Sequence, residues 1–155
     1  MEPSQSNLQF WTVAELVQEL KIRSKQTTKV KSPIDAYTCL FNYRNRKQEH
    51  FFVLHLDGTH RITMKEIVSV GLVNRTLVHP REIFASAVKR RATAIVIAHN
   101  HPSGNVEPSS EDDEISNRLY KAGELLGIGL LDHIVFGKHG YYSYLEDGRE
   151  PFGSR

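Results

Sequence analysis

The stretch Ala94-Ile95-Val96-Ile97-Ala98-His99-Asn100-His101-Pro102-Ser103-Gly104 decides how this chain is read. Its first half is apolar at odd and even positions alike, as expected of a central strand covered on both faces. Its second half ends that strand on two histidines, two residues apart. Side chains at i and i+2 share one face of a strand, so both imidazoles are predicted to emerge side by side where the strand stops. Pro102 then ends the pairing, because it has no N–H to donate.

Beyond the histidines, Ser109 follows His101 by eight residues and Asp112 comes three later. Ser109-Ser110-Glu111-Asp112 has the pattern of a helix cap, which puts Asp112 in a first helical turn. There it faces the positive end of the helix dipole, a setting that keeps a carboxylate ionised. Two imidazoles and one carboxylate are donors that zinc accepts. Three such ligands leave a fourth position open, the arrangement of catalytic zinc sites. Zinc lowers the pKa of water to about 7, and the chemistry then needs a group to take and pass on a proton. Glu49, at a helix-to-strand junction just before Phe51, is the preferred candidate. Glu82, in His79-Pro80-Arg81-Glu82, is the alternative, although a first-turn glutamate also reads as a capping carboxylate. Ser109 offers a hydroxyl to a developing oxyanion, or serves as a plain cap. Asp132-His133 reads as a pair orienting a metal ligand, or as a buried structural pair.

Further out, the chain reads as alternating helices and strands. Thr12 opens an amphipathic helix with Glu15 as its capping partner and Val13, Leu16, Val17 and Leu20 at helical spacing. A polar, basic linker follows over 21–31. Ser32-Pro33 starts a second helix, with Ile34, Tyr37, Leu40 and Phe41 inward, running towards Lys47. Phe51 to Leu56 is a strand, Asp57-Gly58 a hairpin signal, and a second strand covers part of 61–70. Pro80 begins a helix ending at Arg91. The longest helix, capped by Ser109 and ended by Gly127, buries Ile115, Leu119, Ala122 and Leu126. Leu130 to Phe136 and Tyr141 to Leu145 are the last strands, and the tail from 146 to 155 reads as polar and loose. The order predicts an α/β (α+β) domain, a mixed sheet of about five or six strands sandwiched by helices.

Composition bounds the rest. With 155 residues, 39% of them hydrophobic, the chain suits one packed domain. A formal net charge of +2 is weak support for nucleic-acid binding. The basic clusters at Lys21–Lys31, Arg44–Lys47 and Lys89–Arg91 read first as solvated faces. The single cysteine, Cys39, excludes an intramolecular disulfide and any Cys-x-x-Cys zinc site. It fits a reducing compartment. With no signal-like start and no apolar run near ~20 residues, the expectation is a cytoplasmic protein with no membrane partner.

His99-x-His101-Pro102, Ser109 and Asp112, with Glu49 upstream, resemble the JAMM (JAB1/MPN+) metalloprotease motif. Val78-His79-Pro80-Arg81-Glu82-Ile83-Phe84, His99 through Gly104, Pro108-Ser109 and Leu131-Asp132-His133 resemble bacterial RadC-type proteins. The resemblance covers 30–146, with 1–29 as an N-terminal helix and basic linker and 147–155 as a polar tail. It implies a three-layer α-β-α fold related to cytidine deaminases. It implies zinc on His99, His101 and Asp112, with Glu49 as acid/base and Ser109 as oxyanion helper. It further implies a hydrolase acting on peptide or isopeptide bonds, with a nominal DNA-repair association. Under it, Arg81 and Glu82 either line the cleft, with Arg81 gripping a carboxylate or phosphate, or start a helix packed under the sheet. Longer members carry an N-terminal helix-hairpin-helix-like segment where this chain has residues 1–29, which weakens DNA binding. There is little room for the insertions with which deubiquitinating relatives grip substrate.

Three other functions compete. A nucleobase deaminase needs His-x-Glu and Pro-Cys-x-x-Cys, and neither is present. A metallonuclease commonly uses two metals, and ligands for only one are found. The remaining alternative is a non-enzymatic module that meets DNA or a repair protein through the basic clusters. The strand near Tyr141–Leu145, at a sheet edge, offers pairing in a homo-oligomer.

Overall fold

The computed structural model describes residues 29–71 and 78–154. The helix expected from Thr12 and the linker up to residue 28 lie outside the described residues. Helix α1 spans Pro33–Leu40. It is followed by strands β1, His50–Leu56, and β2, Ile62–Val70. Then come helix α2, Pro80–Lys89, strand β3, Ala94–Asn100, and helix α3, Ser110–Leu126. Strands β4, Gly129–Gly137, and β5, Gly140–Ser143, lead into a short helix α4, Tyr144–Asp147.

The strands form one sheet of order β2-β1-β3-β4-β5. β3 pairs antiparallel with β1 and parallel with β4. Every residue of β3 is buried, as its apolar run requires. Its two faces feed separate cores. Ile95 and Ile97, with Phe51 and Val53, pack against Ile83 and Phe84 of α2 and Ile115 and Leu119 of α3. Val96 and Ala98, with Phe52 and Leu54, pack against Ala36, Tyr37 and Leu40 of α1. The result is the expected three-layer α-β-α arrangement, with β3 at its centre.

Several local expectations are corrected. α1 ends at Leu40 and tightens into a 3₁₀ turn over Phe41–Tyr43 instead of running to Lys47. The Arg44 side chain donates to the Phe41 carbonyl at 2.9 Å, satisfying the turn's end. Ile34 lies off the buried face, which Ala36, Tyr37 and Leu40 occupy, and is exposed. α2 stops at Lys89. In α3 the buried stripe is Asp112, Ile115, Ser116, Leu119 and Gly123. Leu126 is exposed. β5 ends at Ser143 because Ser143 caps α4, its side chain accepting from the Glu146 N–H at 3.0 Å. The tail is not loose: Arg149 makes two hydrogen bonds of 2.8 Å to Asp113, and Phe152 is buried beside Tyr120 and Tyr144. Among the described residues no helix is long and apolar enough to cross a membrane.

Candidate metal centre

β3 carries His99 on the same face as Ile95 and Ile97, the face that α3 covers. His101 follows immediately past the strand end, its N–H donating to the Phe136 carbonyl at 2.8 Å. The loop after Pro102 returns the chain to α3. There Ser109 and Asp112 form a capping box: the Asp112 N–H donates to Ser109 Oγ at 3.2 Å, and the Ser109 N–H donates to Asp112 Oδ2 at 2.8 Å. The cap fixes the aspartate's rotamer and turns its carboxylate towards the histidines. Asp112 Oδ1 lies 3.2 Å from His99 Nε2 and Oδ2 lies 3.6 Å from His101 Nε2. The two Nε2 atoms are 2.9 Å apart. His99, His101 and Asp112 each bring one ligand atom within 4.8 Å of the others. They are the one group of three or more metal-ligating side chains so placed among the described residues.

The chemistry of the donors fits a divalent cation. His101 Nδ1 is 2.7 Å from the Asn105 carbonyl oxygen, which can only accept. Nδ1 therefore carries a proton, and the Nε2 of neutral His101 presents a lone pair. Burial pushes the Asp112 carboxyl up, but without a metal the Nε2 protons that His101 and His99 carry when charged hydrogen-bond to it, and these contacts hold the group far below the usual carboxylate range. Asp112 is thus held ionised, the imidazoles giving the largest lowering effect and the Ser109 N–H at the helix cap adding to it. Burial pushes His101 down, yet hydrogen bonds with Asp112 and Asn105 and the charges of Asp112 and Glu49 raise it overall. The site thus favours positive charge at the point where three donors converge.

Glu49 belongs to the same end of the sheet. Phe51 pairs with His99 in antiparallel register. The charge of Glu49, two residues before Phe51, acts on the His101 imidazole. The Ser109 hydroxyl oxygen serves as cap acceptor, which leaves its proton to donate, so the cap and the oxyanion role are compatible. Glu82 instead sits on the exposed first turn of α2, 3.4 Å from Arg81, and both side chains point into solvent.

Of the pair Asp132-His133, His133 meets the candidate metal site, and the Asp132 carboxylate binds elsewhere. His133 is buried, with Nε2 2.9 Å from His99 Nδ1. Burial, followed by the neighbouring His99, holds its pKa well below the ordinary value. Asp132 is structural: it accepts from the His133 N–H at 2.7 Å, the Ser143 hydroxyl at 2.6 Å and the Leu145 N–H at 3.0 Å. Two residues went unread. Ser116 links His133 to the Asp112 carbonyl. Asn100 faces away from the histidines and binds the backbone on both sides of Glu49. Only the i, i+4 spacing of Ser116 from Asp112 could have singled it out.

Comparison with known proteins agrees with this geometry. The family model described as a RadC-like JAB domain matches residues 30–149. A UPF0758 protein of Trichlorobacter lovleyi is 52% identical over 105 residues, covering 68% of this chain and 46% of the relative. One from Chlorobium phaeovibrioides is 38% identical over 143 residues, covering 92% of this chain and 64% of the relative. One from Methanosarcina mazei is 42% identical over 121 residues, covering 77% and 53%. The chain thus spans about half to two-thirds of the length of these curated relatives. Fold, converging donor side chains and matched span together place the chain in the RadC-like JAB domain family.

Proposed function

We propose that the chain is a zinc-dependent hydrolase of the JAMM type, acting on peptide or isopeptide bonds. The observation that carries this reading is the convergence of His99, His101 and Asp112, with the charge of Glu49 acting on His101. Zinc at such a site would supply Lewis acidity, polarising a carbonyl and lowering the pKa of water to about 7. His101, its proton fixed on Nδ1 by Asn105, offers Nε2 as a ligand atom. Asp112 offers an ionised carboxylate whose rotamer the capping box has already set. Glu49 takes the proton of the attacking water and returns it to the leaving amine, so one carboxylate acts as base and then acid. The Ser109 hydroxyl proton, unused by the cap, donates to the carbonyl oxygen as it gains negative charge. The lone Cys39 suits action in a reducing compartment such as the cytoplasm.

The test is metal analysis joined to cleavage of a peptide library. Protein purified without chelator should carry about one zinc per chain, the number one four-coordinate site accommodates. His101→Ala should lose that zinc and all cleavage. Full zinc retention by His101→Ala removes it from the ligand set. A zinc-loaded protein that cuts no peptide or isopeptide bond sinks the hydrolase reading and leaves the metal site standing.

A further inference from the structure

We infer that Ser116 and His133 form a tautomer lock on His99, making them positioning residues for metal uptake. The inference rests on reading His99, His101 and Asp112 as metal ligands. Three contacts in series carry it. Ser116 Oγ lies 2.8 Å from the Asp112 carbonyl oxygen. His133 Nδ1 lies 2.6 Å from Ser116 Oγ. His99 Nδ1 lies 2.9 Å from His133 Nε2.

Counting protons along this series fixes its direction. A backbone carbonyl only accepts, so the single hydroxyl proton of Ser116 goes to Asp112. Towards His133 the hydroxyl can then only accept, so His133 Nδ1 carries a proton. A neutral imidazole has one N–H, which leaves His133 Nε2 as an acceptor. The proton shared with His99 therefore sits on His99 Nδ1, and His99 Nε2 keeps its lone pair. That lone pair faces His101 and Asp112. The opposite polarity, with the Ser116 proton given to His133, would put a proton on His99 Nε2 among the ligand atoms and block it. The Asp112 carbonyl selects between the two, so one residue anchors the series through its backbone and completes the site through its carboxylate. His101 has its own lock in the Asn105 carbonyl.

The fold holds His133 in place for this task. Between Ile95 and Val96 the register of β4 against β3 slips by one residue, Leu131 being skipped. The slip brings His133 opposite Ile97, on the face that carries His99. Tyr144 stacks on the His133 ring at 4.8 Å and 12°, and Phe51 meets it edge-on at 6.1 Å. Ring and rotamer are fixed before any metal arrives.

Zinc affinity, measured by competition with a chromogenic chelator, and the visible spectrum of the cobalt-substituted protein read the effect without any substrate. His133→Leu should weaken zinc binding about 10–100-fold and alter the cobalt bands. His133→Gln, whose amide oxygen can accept where Nε2 does, should recover most of the affinity. Ser116→Ala should bind zinc about 10-fold more weakly, at the low end for an outer partner of a ligand. Circular dichroism of the metal-free variants separates lost fold from lost affinity, and if His133→Leu does not fold, Ser116→Ala decides. Folded Ser116→Ala with the parent's affinity and cobalt spectrum overturns the inference. So does a nitrogen NMR spectrum of the zinc-loaded protein that puts the His133 proton on Nε2. A parent protein that takes up neither metal overturns the ligand reading itself, which differs from variants that match a metal-binding parent.

Discussion

Asn100 clamps the backbone around the proposed proton carrier. Its Oδ1 accepts from the His50 N–H at 2.7 Å and its Nδ2 donates to the Gln48 carbonyl at 3.0 Å. The carbonyl of Glu49 itself accepts from the Gly71 N–H at 2.8 Å. Glu49 is therefore presented by a backbone held on both flanks, and two substitutions separate its chemistry from its placement. Glu49→Gln should keep zinc and lose about 10²–10⁴-fold in turnover of a peptide found to be cleaved. Asn100→Ala leaves the carboxylate in place but strands a backbone N–H and a carbonyl, at about 1–3 kcal/mol for each group left buried. It should unfold at lower urea and turn over more slowly with zinc content unchanged. Equal urea midpoints would mean that water replaces the lost partner. The convergence of His99, His101 and Asp112 was legible, because strand periodicity and a helix cap are local rules and both end on residue types that can bind metal. Asn100 was not, since its partners lie 50 and 52 positions away. Its side chain also points to the opposite face from the histidines that flank it.

Among elements, α3 carries the most conflicting demands. It must deliver Asp112 and Ser116 at one end and clear the entry to β4 at the other. A Cβ at Gly123 would stand 2.3 Å from the Ile128 carbonyl oxygen and 3.3 Å from the Phe84 ring. Alanine gains about 1 kcal/mol in helix propensity. The obstructing oxygen, however, is backbone, just past the left-handed Gly127 that ends the helix. Moving it shifts the start of β4, an overpacking cost of about 1–3 kcal/mol or more. Gly123→Ala should therefore lower the melting temperature, and a rise would mean that propensity wins. This conflict also explains why the α3 stripe was only half read. Apolar spacing found Ile115 and Leu119, but Asp112, Ser116 and Gly123 are buried for capping, bonding and clearance. The five strands were found because apolar runs and turn residues mark them. The end of β5 was missed because Asp132, on the neighbouring strand, takes the Leu145 N–H that would otherwise continue the pairing.

For the molecule as a whole, Asp132 ties β4 to β5 and α4 from inside the fold and links stability to pH. Burial pushes its carboxyl up to about 6 in spite of three hydrogen bonds that favour the charged form. In the unfolded chain it titrates near 3.8. Between these values the folded protein binds more protons at this site than the unfolded one, so Asp132 favours folding at low pH and loses that contribution as pH rises towards 6. His133 pulls the other way. Its pKa is lowered in the fold, so unfolding takes up a proton there below about 6.5, and stability falls as pH falls. Asp113, lowered by its hydrogen bonds from Arg149, likewise loses its contribution in acid. The total curve mixes these opposing trends, whereas the difference between the parent and Asp132→Asn isolates one of them. The asparagine oxygen can still accept the His133 and Leu145 N–H groups, and the Ser143 hydroxyl can rotate to accept from its amide. From pH 4 to pH 7 the parent should lose stability relative to Asp132→Asn, by up to about 3 kcal/mol at 1.36 kcal/mol per pKa unit. Urea titrations of both proteins across that range measure it. A difference that does not vary with pH would place the Asp132 titration where it lies in the unfolded chain, with its three hydrogen bonds offsetting the whole cost of burial.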